Sequence, residues 1–318
     1  MAESKIPLIA VVGPTASGKT SLAIELCKRY GAEAVSCDSM QIYKGMDIAT
    51  AKPTIDEMQG IPHHLIGFVS PDEPFSVAKY CEVAKDTILD IHGRNKKAVL
   101  VGGTGLYYNS LTDNIEFLPE ETDFEYREFL RKRAETEGAQ VLLDELAAVD
   151  PEAASSLHVN NLGRIIRALE IHHTTGKTKS LQNEQSRLNP SPFKTVSICL
   201  DARERQILYN RINLRVDIMV EAGLIEEAKA FFDSPLGRTA KQAIGYKELD
   251  PYFKGEKTLD ECLESLKMQT RRYAKRQLTW FRRDERINFL YIDDYANGKE
   301  LLDAACEIIE RSDAFEGE

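Results

Sequence analysis

A phosphate-binding loop near the N-terminus constrains this sequence more than any other feature. An apolar run, Ile6 to Val12, predicts a buried strand before the loop, and a helix that stops at Gly31 is predicted after it. The segment between them matches the pattern G-x-x-x-x-G-K-[ST]. In such a loop, backbone N–H groups and the N-terminus of the helix converge on anionic oxygens. The predicted binding residues are Gly13, Pro14, Thr15, Ala16, Ser17, Gly18, Lys19 and Thr20.

The loop alone leaves open which phosphate it holds. Lys19 supplies a positive charge, and the hydroxyl of Thr20 can ligate Mg²⁺. A usual nucleoside triphosphatase also carries an acidic residue at the end of a later apolar strand. Here the strand AVLV runs into the glycine-rich segment Gly102–Gly105, which has no carboxylate. The Mg²⁺ role would therefore fall to Thr20 and the bound diphosphate, or to a carboxylate elsewhere.

Strands that alternate with helices predict a doubly wound α/β fold. Further strands are expected at AEAVSCDS, ending at Asp38, and at KKAVLVGGTG, FKTVSICLD and RINFLYID, with a helix from about Ser76 to His92. Ligands of such a fold bind at the carboxyl ends of the strands. Two long segments within 115–192 read as helical with no strand between them, and QNEQSRLNPSP reads as a polar linker leading back to the sheet. We therefore predict an all-helical domain, 115–192, inserted into a discontinuous catalytic core formed by 1–114 and 193–318.

Composition indicates a globular intracellular chain. The 318 residues are 42% hydrophobic and 29% charged, and no apolar run is long enough to cross a bilayer. The short apolar N-terminal run leads into the phosphate loop, which argues against a secretory signal. Six scattered cysteines without a C-x-x-C pair fit a reducing cytoplasm better than a disulfide or zinc framework.

The formal net charge of −10 argues against a nucleic-acid partner, but binding depends on local basic surface. The segment TRRYAKRQLTWFRRDER predicts a helix with one basic side and one apolar side. A solvated charged face over a buried stripe is the alternative interpretation. The basic side would carry Arg271, Arg272, Lys275, Arg276, Arg282, Arg283 and Arg286, opposite Tyr273, Ala274, Leu278, Trp280 and Phe281.

Asp38 lies at the carboxyl end of the strand predicted beside the phosphate loop. Its carboxylate could act as a general base, or it could simply cap the following turn, and the sequence does not separate the two roles. Gln41 carries an amide suited to the edge of an adenine. The paired histidines, His63-His64 and His172-His173, have no third ligand at a suitable spacing, so we interpret them as structural or substrate-lining.

Several blocks occur in an order that resembles the tRNA dimethylallyltransferase family. They are the phosphate loop followed by DSMQIYKGMDIATAKP, GIPHHL, LVGGTGLY, GRIIRALE, AIGYKEL and TRRYAKRQLTWFRR, and they extend from about residue 8 to residue 283. The resemblance is to the compact bacterial form, without the zinc-finger extension of eukaryotic relatives. It implies transfer of a dimethylallyl group from dimethylallyl diphosphate to N6 of adenosine 37 in the anticodon stem-loop of tRNA, with release of diphosphate.

The resemblance also implies roles for individual residues. The loop would hold the prenyl diphosphate with Mg²⁺, Asp38 would be the catalytic base, and Arg215 would add positive charge beside Lys19 and Thr20. We expect a cytoplasmic monomer without membrane association. The residues expected to contact tRNA are Asp38, Ser39, Met40, Gln41, Thr104, Arg127, Arg164, Ile165, Ile166, Arg167, Arg272 and Arg276, with Arg131 and Lys132 as further basic candidates.

Three alternatives share parts of this pattern. A P-loop small-molecule kinase would use the same loop and sheet, but the missing acid and the helical insertion count against it. A prenyltransferase acting on AMP, ADP or ATP would not need the insertion or the basic helix. A non-catalytic RNA-binding protein would leave the phosphate loop and Asp38 unexplained.

Overall fold

The structure is a computed structural model that describes residues 5–117, 122–232, 234, 239–312 and 314. The chain divides into two compact units. One unit combines Met1–Thr112 with Ser191–Glu318, and the other is Asp113–Pro190. The limits expected from the sequence, 115 and 192, therefore lie two residues beyond those of the second unit.

The first unit contains a six-stranded sheet in which every described pair of strands is parallel. The strand order is β3-β2-β4-β1-β5-β6, so β1 lies between β4 and β5, inside the sheet. This arrangement agrees with the doubly wound α/β fold predicted from the sequence. The strands are β1 (Ile6–Val12), β2 (Ala32–Ser36), β3 (His63–His64), β4 (Lys97–Gly102), β5 (Phe193–Asp201) and β6 (Ile287–Tyr291).

Helices pack against both faces of this sheet, and two apolar clusters lie between the layers. Side chains of β1 alternate between the clusters: Leu8 joins one, and Ile9 joins the other. Because both faces are covered, the strand is apolar at successive positions. The helices of this unit are α1 (Lys19–Tyr30), α2 (Ile55–Met58), α3 (Val77–Gly93), α4 (Gly105–Thr112), and, after the second unit, α10 (Arg205–Glu221), α11 (Leu224–Phe232), α12 (Tyr246–Phe253), α13 (Leu259–Phe281) and α14 (Gly298–Glu310).

Local sequence signals define where the helices near the site begin. Thr258 caps α13 by accepting a hydrogen bond from the N–H of Glu261, whose carboxylate in turn accepts from the N–H of Thr258. Ser76 caps α3 in the same way through the N–H of Lys79. The structure thus starts α3 one residue after the predicted position.

In its described residues the second unit contains helices joined by turns and no strand. Its helices are α5 (Phe124–Glu137), α6 (Ala139–Val149), α7 (Pro151–Ser155), α8 (Leu162–Thr175) and α9 (Lys179–Gln185). The linker expected from Gln182 onward is wrong at its start, because Gln182–Gln185 belong to the last of these helices. Leu130, Leu142, Leu146 and Leu169 are buried in one apolar cluster. The insertion therefore has its own core, as expected for a unit that folds around a separate apolar centre.

Two predicted boundaries are wrong. β2 ends at Ser36 and not at Asp38, because Asp38 begins a tight turn. The basic helix α13 ends at Phe281, so Arg283 and Arg286 follow the helix and do not belong to its basic side.

Candidate active site

A cavity of about 260 Å³ opens in the first unit at the carboxyl ends of the strands. Its lining comes from residues after β1 and β2, from the last residues of β4, from α10 and α13, and from a segment after Asp38. This is the edge at which doubly wound sheets bind ligands. Polar lining residues include Thr15, Lys19, Thr20, Asp38, Ser39, Gln41, Arg215, Tyr273, Arg276 and Gln277. Apolar lining residues include Ile212, Val216, Met219, Leu224, Ile244 and Leu266.

The phosphate loop has the backbone shape of an anion cradle. Gly13 has a φ of 143°, and a Cβ there would lie 2.7 Å from the carbonyl oxygen of Leu200, so only glycine fits against β5. Ala16 and Gly18 also have positive φ, 63° and 92°. The hydroxyl of Ser17 is buried, and among the described residues it has no hydrogen-bond partner. The loop therefore offers the first N–H groups of α1, which lack intrahelical acceptors, and encloses the buried Ser17 hydroxyl.

Lys19 and Arg215 place two positive charges at the cavity. The Lys19 ammonium donates a 3.1 Å hydrogen bond to the carbonyl of Pro14. Enclosure by protein, followed by repulsion from Arg215, lowers the pKa of Lys19 to about 8. Burial also lowers the pKa of Arg215, although Glu57 and Asp38 oppose that effect. A site with two partly desolvated cations is suited to a multiply charged anion such as a diphosphate.

Asp38 forms a turn and also lines the cavity. Its Oδ1 accepts hydrogen bonds from the N–H groups of Met40 (2.9 Å) and Gln41 (3.4 Å). Asp38 therefore does cap the turn that follows it. Both of these capping hydrogen bonds use Oδ1 and not Oδ2. One oxygen orients the carboxylate while the other stays available to accept a proton in the cavity.

Gln41 and Thr104 hold two backbone segments near the cavity: Gln41 the segment at Thr50 and Ala51, and Thr104 the turn that follows Asp38. The Gln41 amide donates to the carbonyls of Thr50 (3.2 Å) and Ala51 (3.0 Å), so its donors are engaged within the protein. The Thr104 hydroxyl accepts from the N–H of Ser39 at 3.0 Å. In this structure, both residues organise the wall of the cavity.

A segment after Asp38, residues 47–53, forms another wall and is held by a residue that sequence reasoning missed. The carboxylate of Glu227 accepts hydrogen bonds from the N–H groups of Asp47 (2.8 Å), Ile48 (2.8 Å) and Ala49 (2.9 Å). It also accepts from the hydroxyl of Tyr246 at 2.7 Å. A glutamate on α11 gives no such signal in the sequence, because the backbone N–H groups that donate to it lie about 180 positions away.

The exposed side of α13 carries fewer available cations than predicted. Arg272, Lys275 and Arg276 are exposed, and the Arg276 guanidinium lies 5.7 Å from the ring centre of Tyr273. Arg282 instead donates a 2.6 Å hydrogen bond to Asp201, whose side chain is 2% exposed and needs a counter-charge. Arg286 pairs with Asp284.

Two of the arginines predicted in the insertion, Arg127 and Arg167, pair with one buried acid, Glu170. Arg127 donates two 2.8 Å hydrogen bonds to Glu170, and Arg167 donates one of 2.6 Å. Burial opposes ionisation of Glu170, but these two guanidinium groups overcome it and lower its pKa. Arg164 is exposed on the same helix, α8.

Ile165 and Ile166, in contrast, are buried in the apolar cluster of the insertion. Their side chains face the core and not the solvent. A contact between this segment and RNA would therefore be made by the neighbouring arginines.

The histidine pairs have structural partners. His64 makes a 2.7 Å contact with Glu33, and His63 bonds to the carbonyl of Ile61 while lining the cavity. The ring of His173 stacks on Tyr126 at 3.9 Å. Within the described ranges, no group of three or more His, Cys, Asp or Glu side chains could hold a metal ion.

Comparisons with known proteins identify the family. The family model described as IPP transferase matches residues 41–284, and one described as isopentenyl transferase matches residues 6–67. The tRNA dimethylallyltransferase of Thermoanaerobacter pseudethanolicus is 49% identical over 93% of this chain and 95% of its own length. That of Bacillus subtilis is 48% identical over 91% of this chain and 92% of its own length.

Solved structures agree with this assignment. The tRNA isopentenylpyrophosphate transferase of Bacillus halodurans superposes with a TM-score of 0.72 at 44% identity, covering 96% of each chain. A eukaryotic dimethylallyltransferase acting on tRNA superposes with a TM-score of 0.78 at 28% identity, covering 96% of this chain and 80% of its own. The chain therefore belongs to the IPP transferase family, whose curated relatives are tRNA dimethylallyltransferases.

Proposed function

We propose that the protein transfers the dimethylallyl group of dimethylallyl diphosphate to N6 of adenosine 37 in tRNA. One observation carries the proposal: a single cavity is lined by Lys19, Thr20 and Arg215 as well as by the carboxylate of Asp38. Cations and loop N–H groups suit the diphosphate, and the carboxylate suits proton removal from the acceptor. If the protein were a small-molecule kinase that used the same loop, Asp38 would have no role as a base for an amine.

The donor would bind with its diphosphate on the phosphate loop. The bond between its first carbon and the bridging oxygen breaks, and the charge that develops on the departing diphosphate is stabilised by Lys19, Arg215 and the loop N–H groups. Such preorganised charge is a large term in catalysis. The apolar lining from α10 and α13, with Val216 and Leu266 among its members, would surround the hydrocarbon and keep water from the allylic cation.

The acceptor would enter at the side of the cavity where Asp38 lies. N6 of adenine forms the new bond to carbon, and its proton becomes acidic only as that bond forms. The Asp38 carboxylate then takes the proton, which balances the reaction as prenylated adenosine and free diphosphate. The base must leave its stack to reach the cavity, and a single-stranded anticodon loop keeps that cost low.

We further propose Mg²⁺ as the cofactor. Thr20 lines the cavity at the start of α1, and the buried Ser17 hydroxyl lies in the same loop. Mg²⁺ commonly takes few protein ligands and completes its shell with substrate phosphates and water, which fits a site that offers a hydroxyl. Bound there, the ion would neutralise diphosphate charge.

The tRNA would be held by the exposed cations of α13 and by Arg164 of the insertion. Arg131 and Lys132, on α5 of the insertion, are further candidates. Arg127 and Arg167 would act through Glu170, shaping that surface from within. We propose that the protein works as a monomer in the cytoplasm, where tRNA is present and where its six cysteines, all free thiols, stay reduced. None of the described helices combines the length and apolar character needed to cross a membrane.

The test is incubation of the protein with labelled dimethylallyl diphosphate, Mg²⁺ and unmodified tRNA, followed by nucleoside analysis. We expect N6-dimethylallyladenosine at position 37 and one diphosphate released per transfer. A matched tRNA with guanosine at position 37 is the control. ATP turnover without prenyl transfer would favour the kinase alternative, and equal transfer to free AMP would favour the adenylate prenyltransferase.

A further inference from the structure

The side chain of Gln277 joins the two loops that form the site. It lies on α13, and it is only 5% exposed although the helix surface around it carries the exposed cations Arg272 and Arg276. Its Oε1 accepts a 3.0 Å hydrogen bond from the N–H of Thr15, and its Nε2 donates a 2.9 Å hydrogen bond to the carbonyl of Gly103. One amide therefore uses both of its ends on backbone groups of different loops.

The first loop holds the phosphate site. Thr15 is the third residue of the phosphate-binding segment, and it also lines the cavity. In a phosphate loop this N–H can donate to a bound anion. Here it donates to the side chain of Gln277. The amide oxygen thus fixes the position of the loop at Thr15, and Gln277 itself lines the same cavity.

The second loop, which contains Gly103, holds the segment after β2 in which Asp38 lies. Gly103 is followed by Thr104, whose N–H donates to the carbonyl of Cys37 at 3.1 Å and whose hydroxyl accepts from the N–H of Ser39 at 3.0 Å. Both neighbours of Asp38 are therefore bonded to the residue after Gly103. Because Thr104 is bonded to Cys37 and Ser39, a displacement of Gly103 would also displace the Asp38 carboxylate between them.

The spacing around Gly103 allows this contact and little else. A Cβ on Gly103 would lie 2.1 Å from Nε2 of Gln277 and 3.2 Å from the carbonyl oxygen of Gly13. Because Gln277 is held at its other end by Thr15, it is not free to swing away. Glycine at this position and glutamine at 277 are thus matched to each other.

We propose that Gln277 is a positioning residue that sets the distance between the diphosphate and the base, and that it links both to the helix proposed to carry tRNA. The inference rests on the proposed function and extends it. Loss of either hydrogen bond would let the two loops separate while each keeps its own ligand contacts. The allylic carbon released from the diphosphate and the amine deprotonated by Asp38 would then no longer be held at reacting distance. Water would therefore capture more of the allylic group.

The experiment compares Gln277→Met and Gln277→Glu with the wild-type chain. Methionine matches the length of glutamine without its hydrogen bonds, whereas glutamate keeps an acceptor for Thr15 and loses the donor to Gly103. Thr279→Ala, a change at an exposed residue of the same helix, is the matched control. For each variant, diphosphate release and prenyl transfer to tRNA are measured separately, with thermal unfolding as a check on folding.

We expect Gln277→Met to lower kcat for transfer about tenfold or more while the donor KM changes little, because misplacement by about 1 Å is costly in an oriented reaction. The ratio of diphosphate released to prenyl transferred should rise above that of the wild type. Gln277→Glu should show the same rise, since it retains only one bond. Wild-type prenyl transfer at adenosine 37 tests the proposed function by itself.

Gly103→Ala supplies an independent variant, because its added Cβ displaces the same amide. The double variant Gly103→Ala with Gln277→Met should be no worse than the more damaging single variant, since both remove one linkage. Folded Gln277 variants whose kcat and release-to-transfer ratio equal those of wild type and Thr279→Ala would overturn the inference. Fully additive losses in the double variant would overturn it as well.

Discussion

Lys19 and Arg215 line the same cavity, and burial together with repulsion from Arg215 lowers the pKa of Lys19 to about 8. If a diphosphate binds as proposed, its negative charge would offset the cost of holding two partly desolvated cations at one site. The same two positive charges would favour a multiply charged anion over a singly charged one.

This pair predicts a pH dependence of donor binding. Above pH 8, free Lys19 loses its proton and must regain one when the diphosphate binds, so affinity should fall toward about tenfold per pH unit. Calorimetry with a non-reactive dimethylallyl diphosphate analogue between pH 7 and 9.5 measures this. In Lys19→Arg, the guanidinium stays charged, so this decline should disappear even if binding is weaker. An equal decline in that variant would assign the pH effect to another group.

Substitutions of Asp38 can separate its role as a turn cap from its proposed role as the catalytic base. Asp38→Asn keeps Oδ1 as an acceptor for Met40 N–H and so keeps the turn, but it cannot take a proton from the amine. We expect kcat to fall about 100-fold or more while tRNA affinity stays within about threefold. Asp38→Ala should lose both the turn and the base. Near-normal turnover in the asparagine variant would show that the residue is only a cap.

The exposed cations of α13 predict a salt effect. Each phosphate contact contributes about 0.7–0.9 to the slope of log K against log salt, so Arg272→Ala combined with Arg276→Ala should reduce that slope by about 1.5. Arg311→Ala, directly after α14, is a control for the loss of an exposed positive charge away from α13. Filter binding at several salt concentrations gives the slopes. An unchanged slope in the double variant would remove α13 from the RNA interface.

Glu227 should matter for stability and for donor binding together. Glu227→Ala removes the acceptor of three backbone N–H groups in the segment 47–53, and we expect a loss of about 1–3 kcal/mol in the free energy of unfolding. Because Ala49 and Thr50 of that segment line the cavity, the donor KM should also rise. Glu226→Ala, at the exposed neighbouring position, should change neither. A stable Glu227→Ala variant would show that other contacts hold the segment.

The Arg127–Glu170 ion pair predicts which arginines of the insertion are structural. Glu170→Ala leaves two guanidinium groups without their buried partner, which should cost about 3–5 kcal/mol in this unit. Hydrogen exchange of Leu162–Thr175 in the full chain reports that loss. Arg127→Ala should accelerate the same exchange, whereas Arg131→Ala should not. If Arg127→Ala weakens tRNA binding and leaves exchange unchanged, Arg127 contacts the RNA directly.

The sequence by itself determined the parts of the molecule whose signals are local. The apolar run of β1, the glycines and lysine of the phosphate loop, the strand-helix alternation and the long helical segment each have a pattern that short-range chemistry imposes. Those patterns predicted the α/β core, the insertion and the candidate role of Asp38. The order of several motifs together indicated the family.

Only the tertiary structure decided which side chains are free to act. Arg282 is engaged by Asp201, Arg127 by Glu170 and the amide of Gln41 by the backbone, and each pairing joins positions whose closeness no local pattern encodes. The same holds for Gln277 and Glu227, which read as ordinary polar residues of a helix. Their roles arise from the desolvation of backbone groups and charges in a packed interior, where each must find a partner, and that demand exists only once the chain has folded.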